Sequence, residues 1–164
     1  MTDRLTKEEF GCLIALMASV RSEDPSTKVG SCIEDDNQRL RALGYNGIKA
    51  GKRYKKIYHT DRDARLAASS HSEENLLSLI TRNDGMKKIY LTTSPCASCA
   101  RLIACHGIEK VIFINKYPRC DQYPLIFKEH GVKFRQITKK EKSRIYAEAS
   151  KMLNSLLEIP APKV

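Results

Sequence analysis

Residues 87–115 constrain the fold more than any other stretch of the chain. The segment "KKIYLTT" (87–93) has the short, apolar, β-branched character of a buried strand, and "KVIFIN" (110–115) repeats it. Between them "SPCASCARLIACHG" (94–107) reads as a helix, with Ser94 as N-cap, Pro95 at the first position and Gly107 as the stop. A short helix from Tyr123 to His130, closed by Gly131, and a further strand "VKFRQI" (132–137) continue the alternation. Strands alternating with helices imply an α/β protein whose largely parallel sheet is covered on both faces.

The flanking segments add to this frame. Thr6 and Glu9 form a capping box that opens a helix over residues 7–20, with Phe10, Leu13, Ile14 and Met17 recurring on one face. "KVGSCIE" and "RLRALGY", joined by the turn-forming "DDNQ", read as a β-hairpin. Thr138 and Glu141 cap a final helix that carries Ile145, Ala149, Met152, Leu153 and Leu156 on one stripe. Residues 45–70 are long, basic and weakly periodic, the mark of a functional or mobile loop. At 164 residues the chain suits one domain, over 1–159, with a short tail at 160–164, and it holds no internal repeat.

Composition narrows the classes further. Hydrophobic residues at 41% and charged residues at 29% are ordinary for a globular protein and exclude disordered and fibrous chains. The net charge of +10 favours an anionic partner: a phosphate, a nucleotide or a nucleic acid. The apolar run "LIALMASV" is too short for a bilayer and follows Glu8 and Glu9 instead of a basic leader, so a cytoplasmic protein is expected. In that reducing compartment, the six cysteines are more often metal-binding or catalytic than paired in disulfides.

Cys96 and Cys99 lie three apart in the first turn of the 94–107 helix, so both sulfurs project to one side of a helix start that favours thiolates. Alone, this C-x-x-C fits zinc, a redox pair or plain structural cysteines. One helix earlier, "AASSHSEENLL" (67–77) sets His71 and Glu73 at another helix start, where Ser70 and Glu73 also match a capping box. His71, Cys96 and Cys99 make three zinc ligands, one short of a closed structural tetrahedron, and the open corner is what catalysis by an activated water requires. Glu73 is then the proton-moving base, while Glu74 is a solvated or dipole-favouring neighbour. Cys12 and Cys32 sit in apolar patterns that suit buried thiols, and Cys105 falls roughly on the opposite helix face. H-x-E followed by P-C-x-x-C is the signature of zinc-dependent nucleobase deaminases.

With "SEDPSTKVG", "GYNG", "HSE" and "PCASCA" in this order, then "GIEKVIF" and "HGVKF", the chain closely resembles the deoxycytidylate (dCMP) deaminase family, phage members included, over residues 10–137. The resemblance implies a three-layer α/β/α cytidine-deaminase-like fold around a mixed sheet of about five strands. It implies conversion of dCMP to dUMP and ammonia with one catalytic Zn2+ per chain, feeding thymidylate synthesis. It further implies a homohexamer regulated by dCTP, with Mg2+, and by dTTP. Asn46 of "GYNG" should bind the sugar or base, although an αL turn would also suit an Asn before Gly47. Arg21, Ser22 and Lys28 are candidates for the nucleotide phosphate, and Tyr117 for the sugar and base.

Departures from the family pattern bear on selectivity. Ser72 stands where relatives often have Ala; Lys49 and Ala50 follow "GYNG" where a proline and a basic residue are common; residues 52–69 match no family pattern. Both substrate selectivity and regulation could draw on that loop. His59, His106 and Cys120 do not form a convincing second zinc set. Deaminases of other cytosine or adenine substrates, from dCTP and nucleosides to RNA or single-stranded DNA, remain open, as does a non-catalytic zinc-containing nucleotide-binding regulator. The absence of Trp and 7% aromatics weigh against a nucleic-acid partner.

Overall fold

A computed structural model describes residues 4–48, 52–53, 55–118 and 120–157. In chain order the elements are α1 (Lys7–Ser19), β1 (Gly30–Asp35), β2 (Leu40–Tyr45), β3 (Gly47–Ile48), α2 (Ile57–Thr60), α3 (Arg62–Ala68), β4 (Ser69–Ser70), α4 (Ser72–Leu77), β5 (Met86–Thr93), α5 (Ala97–Cys105), β6 (Lys110–Asn115), α6 (Tyr123–Glu129), β7 (Lys133–Gln136) and α7 (Lys139–Leu157). Five strands form one sheet in the order β2-β1-β5-β6-β7. β1 runs antiparallel to both β2 and β5, while β5, β6 and β7 are parallel. The sheet is therefore mixed, its parallel half beginning where the strand–helix alternation does.

Side-chain alternation along the strands separates two cores. Ile89 and Leu91 of β5, with Val111 and Phe113 of β6, face α4, α5 and α6 through Leu76, Ala100, Ile103 and Phe127. Tyr90, Ile112 and Ile114 face the other way, against Cys12, Leu13 and Ala15 of α1 and Ile145 of α7. Each such aliphatic side chain contributes roughly 1.5–3 kcal/mol by leaving water. Helices thus cover both faces, giving three layers.

The expected box at Thr6 is present: Glu9 N–H donates to Thr6 Oγ1 at 3.2 Å and Thr6 N–H to Glu9 Oε2 at 2.7 Å. The face that α1 buries differs from the expected apolar stripe. Phe10 and Met17 are exposed, and Gly11, Cys12, Ala15 and Ala18 pack inward. The cause is proximity, since small residues let the helix lie close on the sheet. A Cβ at Gly30 would come within 2.0 Å of Ala15 O and 2.5 Å of Ser19 N, both backbone. On α7, Ile145 is buried whereas Met152 and Leu153 of the expected stripe are exposed; the side chain of Leu156 lies outside the described residues, as does the tail from 158. No helix among the described residues is long and apolar enough to cross a membrane.

Charged side chains pin α1 and α7 to the sheet. Arg135 of β7 bonds Glu8 Oε2 through Nε at 2.8 Å, and Glu141 through two nitrogens at 3.1 and 2.9 Å. The Arg135 guanidinium holds the Glu141 carboxyl down at about 2.

Two outcomes are expected. Gly30→Ala, which meets backbone that cannot yield locally, should lower the urea-unfolding free energy by about 3 kcal/mol. Glu141 has a folded pKa below its unfolded one, so its contribution is present above about pH 4.5 and is lost as pH falls toward 2. Glu141→Gln should therefore be less stable than the wild type at pH 7, by about 1 kcal/mol for so partly exposed a network, with the gap closing on acidification.

Candidate active site

Two helix starts meet at one end of the sheet. β5 ends at Thr93, and the chain turns through Ser94, Pro95 and Cys96 into α5, whose N-cap is Cys96. Ser94 is thus not the cap that the sequence suggests. Its hydroxyl accepts instead from Tyr117 N–H at 2.8 Å, and its own N–H donates to Asn115 O at 2.8 Å. α5 thus begins two residues later than expected, and α4 one residue later. His71 is its N-cap, and Glu74, rather than Glu73, closes the box by accepting from His71 N–H at 2.7 Å.

That one-residue shift releases Glu73 from backbone duty. It is buried, and Ser72 Oγ donates to its Oε2 at 2.8 Å. Burial raises the Glu73 pKa above the usual carboxylate range, opposed by the hydrogen bonds it accepts and by His71. The first turn of α4 is itself seated on the hairpin: Ser31 Oγ donates to Ser72 O at 3.0 Å and Asn75 Nδ2 to Tyr45 O at 2.8 Å. Gly44 permits this approach, because a Cβ there would sit 2.4 Å from Ser72 O.

The ligand atoms of His71, Cys96 and Cys99 all lie within 4.8 Å of one another. His71 Nδ1 is 3.5 Å from Cys96 Sγ and 3.3 Å from Cys99 Sγ. A tetrahedral zinc with ordinary bond lengths sets N–S edges of about 3.6 Å, so the donor set and its spacing fit that ion. A hydrogen bond from Cys99, then bonds from His71 and Ser98, hold the Cys96 thiol down at about 3 against the cost of burial, while Cys99, as the donor, is pushed up. His71 is raised to about 9 chiefly by its bond to Cys96. Cys96 is therefore poised as a thiolate. Cys12 and Cys32 are fully buried, Cys12 pushed up to about 12, and Cys105 is exposed. Among the described residues His106 and Cys120 join no metal-spaced cluster, and His106 Nδ1 is 2.9 Å from Leu102 O.

A cavity of about 560 Å3 opens beside the triad, within the range that takes small-molecule ligands. His71, Glu73 and Cys96 line it, as do the sequence candidates Asn46 and Tyr117. The Asn46 amide also braces the neighbouring loop, its Oδ1 accepting from Val29 N–H at 2.7 Å and its Nδ2 donating to Thr27 O at 2.8 Å. Arg21, Ser22 and Lys28 do not line the cavity. Arg21 lies 6.0 Å from the centroid of the Tyr45 ring, Ser22 is buried with its Oγ accepting from Asp24 N–H at 3.2 Å, and Lys28 is exposed. The basic side chains that do line it are Arg62, Arg65 and Lys116.

Arg65 is 7% exposed and ties three segments together. It donates to Tyr58 O at 2.7 Å and to Ser26 Oγ at 3.1 Å, and its Nε lies 3.6 Å from Asp24 Oδ2. Asp24 Oδ1 in turn accepts from Ser26 and Thr27 N–H at 2.7 and 2.9 Å. Sequence reasoning missed this clamp because its partners are 39 and 41 residues apart; the Arg62/Arg65 spacing, one helical turn, was the available signal.

Against known proteins, residues 6–115 match the family model described as the cytidine and deoxycytidylate deaminase zinc-binding region. The mouse deoxycytidylate deaminase is 31% identical over 150 residues, covering 84% of this chain and 83% of the relative. That of Mycobacterium phage D29 is 31% identical over 119 residues, covering 65% of this chain and 92% of the relative. The crystal structure of dCMP deaminase from cyanophage S-TIM5 with dCMP and dUMP superposes with a TM-score of 0.68 at 23% identity, over 79% of this chain and 96% of the other. The chain belongs to the cytidine and deoxycytidylate deaminase family.

Removing one partner of the Arg65 clamp strands a nearly buried charge. Arg65→Met should cost about 3 kcal/mol in denaturant unfolding, and combining it with Asp24→Asn should recover part of that loss in a double-mutant cycle.

Proposed function

We propose that the protein is a zinc-dependent hydrolase that converts dCMP to dUMP with release of ammonia, supplying dUMP for thymidylate synthesis. One observation carries the reading: an imidazole and two thiol groups stand at metal spacing, and the cavity that His71 and Cys96 of this set line is also lined by a buried carboxylate, Glu73, which lies outside the set. A non-catalytic zinc module has no use for that carboxylate.

In this reading His71 Nδ1, Cys96 and Cys99 hold one Zn2+ per chain. When bound, zinc supplies the acidification that makes water a nucleophile near neutral pH, with a pKa of about 7. Glu73 takes the proton released and returns it to the departing amino group. Its buried setting, which favours the protonated form, suits a group that must both gain and give a proton. Ser72 Oγ fixes the rotamer of that carboxylate, and Cys96, as thiolate, supplies charge to the metal. Asn46 and Tyr117 contact the sugar and base from the cavity wall. The family resemblance supports the rest of the proposal: a cytoplasmic homohexamer, regulated by dCTP, with Mg2+, and by dTTP.

The test is ammonia release from dCMP, dCTP, deoxycytidine, CMP and a cytosine-bearing oligonucleotide, with metal content by mass spectrometry. The expected result is preference for dCMP with about one zinc per chain. Glu73→Gln should keep the zinc and lose 10²-fold or more in kcat, of order 10²–10⁴ for a general acid–base group. Chelation should abolish turnover and zinc should restore it. Preference for the oligonucleotide, or full activity in Glu73→Gln, would overturn the proposal.

A further inference from the structure

The charges around the cavity divide into those already paired and those left over. Asp24 is held by Arg65 and by two backbone N–H groups, and Arg65 is spent on Asp24, Ser26 and Tyr58. Glu73 lies deep beside the triad. Arg62 and Lys116 are what remains. Both are exposed cations lining the cavity, and among the described residues neither makes a hydrogen bond or ion pair within the protein.

Each is carried by a segment that is locked from behind. Arg62 stands one helical turn before Arg65 on α3, so the two face the same side, together with Leu66 and Ser69 of the cavity lining. The Arg65 clamp and the Asp61 cap, whose Oδ1 accepts from Ala64 N–H at 2.9 Å, fix that helix. Lys116 follows Asn115 at the carboxyl end of β6, the end of a parallel strand where ligands of α/β sheets bind. Asn115 O and Tyr117 N–H are both bonded to Ser94, so Lys116 is held between two anchored neighbours.

We infer that Arg62 and Lys116 form the anion-recognising rim of the cavity and hold the 5′-phosphate of a nucleoside monophosphate while the base lies at the triad. The inference rests on the deaminase reading above and deepens it by naming the residues that select nucleotide over nucleoside. A guanidinium offers parallel N–H donors that match phosphate oxygens, and the lysine adds a point charge. The sequence candidates Arg21, Ser22 and Lys28, which lie off the cavity, have no part in it.

The experiment compares the zinc-loaded wild type with Arg62→Ala, Lys116→Ala, the double variant and Arg62→Lys. Both side chains are exposed and, among the described residues, unpartnered, so the variants should fold, which circular dichroism checks. The first readout is selectivity, kcat/KM for dCMP divided by that for deoxycytidine. Each single alanine variant should lower the ratio by about tenfold, chiefly through KM for dCMP, and the double variant should lower it further. Arg62→Lys should recover part of the loss, and added salt should weaken dCMP more than deoxycytidine. The second readout, calorimetric binding of dUMP against deoxyuridine, decides the matter independently of turnover. A ratio and a dUMP affinity both within about twofold of the wild type in the double variant would overturn the rim. Wild-type protein that binds dUMP through these residues yet fails to deaminate dCMP would overturn the catalytic reading and leave the rim standing.

Discussion

Everything at the site depends on two helices starting at the same end of one sheet, the edge formed by its strand termini. α5 can begin beside β5 only because β5 pairs in parallel with β6, which sends the chain through a crossover, and α4 reaches the same edge because its first turn is bonded to β1 and β2. Each helix is entered through a residue in extended conformation, His71 and Cys96, so that a capping position also presents a metal-ligating atom. A helix start is the one place where a side chain, a free N–H and a positive end of the dipole coincide. The metal-spaced cluster of His71, Cys96 and Cys99 and the buried carboxylate of Glu73 both draw on that coincidence.

The parallel half of the fold was legible because its signals are local. Buried strands, a stop glycine such as Gly131 at φ 70°, and the capping boxes at Thr6 and Thr138 each occupy fewer than ten residues. The inner face of α1 was not legible from hydrophobicity, since close packing on the sheet selects Gly11, Ala15 and Ala18 by size and leaves Phe10 and Met17 outside. Nor was the start of α4, where Ser70–Glu73 and His71–Glu74 are overlapping candidates for one box and only the seating of Ser72 on Ser31 decides between them.

The basic stretch after Tyr45 shows a different limit. It reads as a loop because it lacks an apolar period, yet it folds into α2, α3 and a short β3–β4 pairing of Gly47–Ile48 with Ser69–Ser70. Its order comes from polar contacts with remote residues, Asp24 and Ser26 above all. Such contacts leave no more along the chain than the one-turn spacing of Arg62 and Arg65, since the partner residues are common ones and only their meeting in space is unusual. For that reason the meeting of His71, Cys96 and Cys99 beside Glu73, set by short motifs, was legible in the sequence, while the cationic lining of the cavity was not.

The division of labour between Glu73 and Glu74 has an evolutionary reading. Adjacent residues on a helix point about 100° apart, so these two identical side chains inhabit unrelated environments, one anchoring the chain and one lining the cavity. A single-codon deletion just upstream would carry Glu74 into the station of Glu73 and leave Asn75 in its own, and an insertion would carry Glu73 into the station of Glu74 and leave Ser72 in its own. The length of the segment entering α4 is therefore as much a part of the site as the residues it carries.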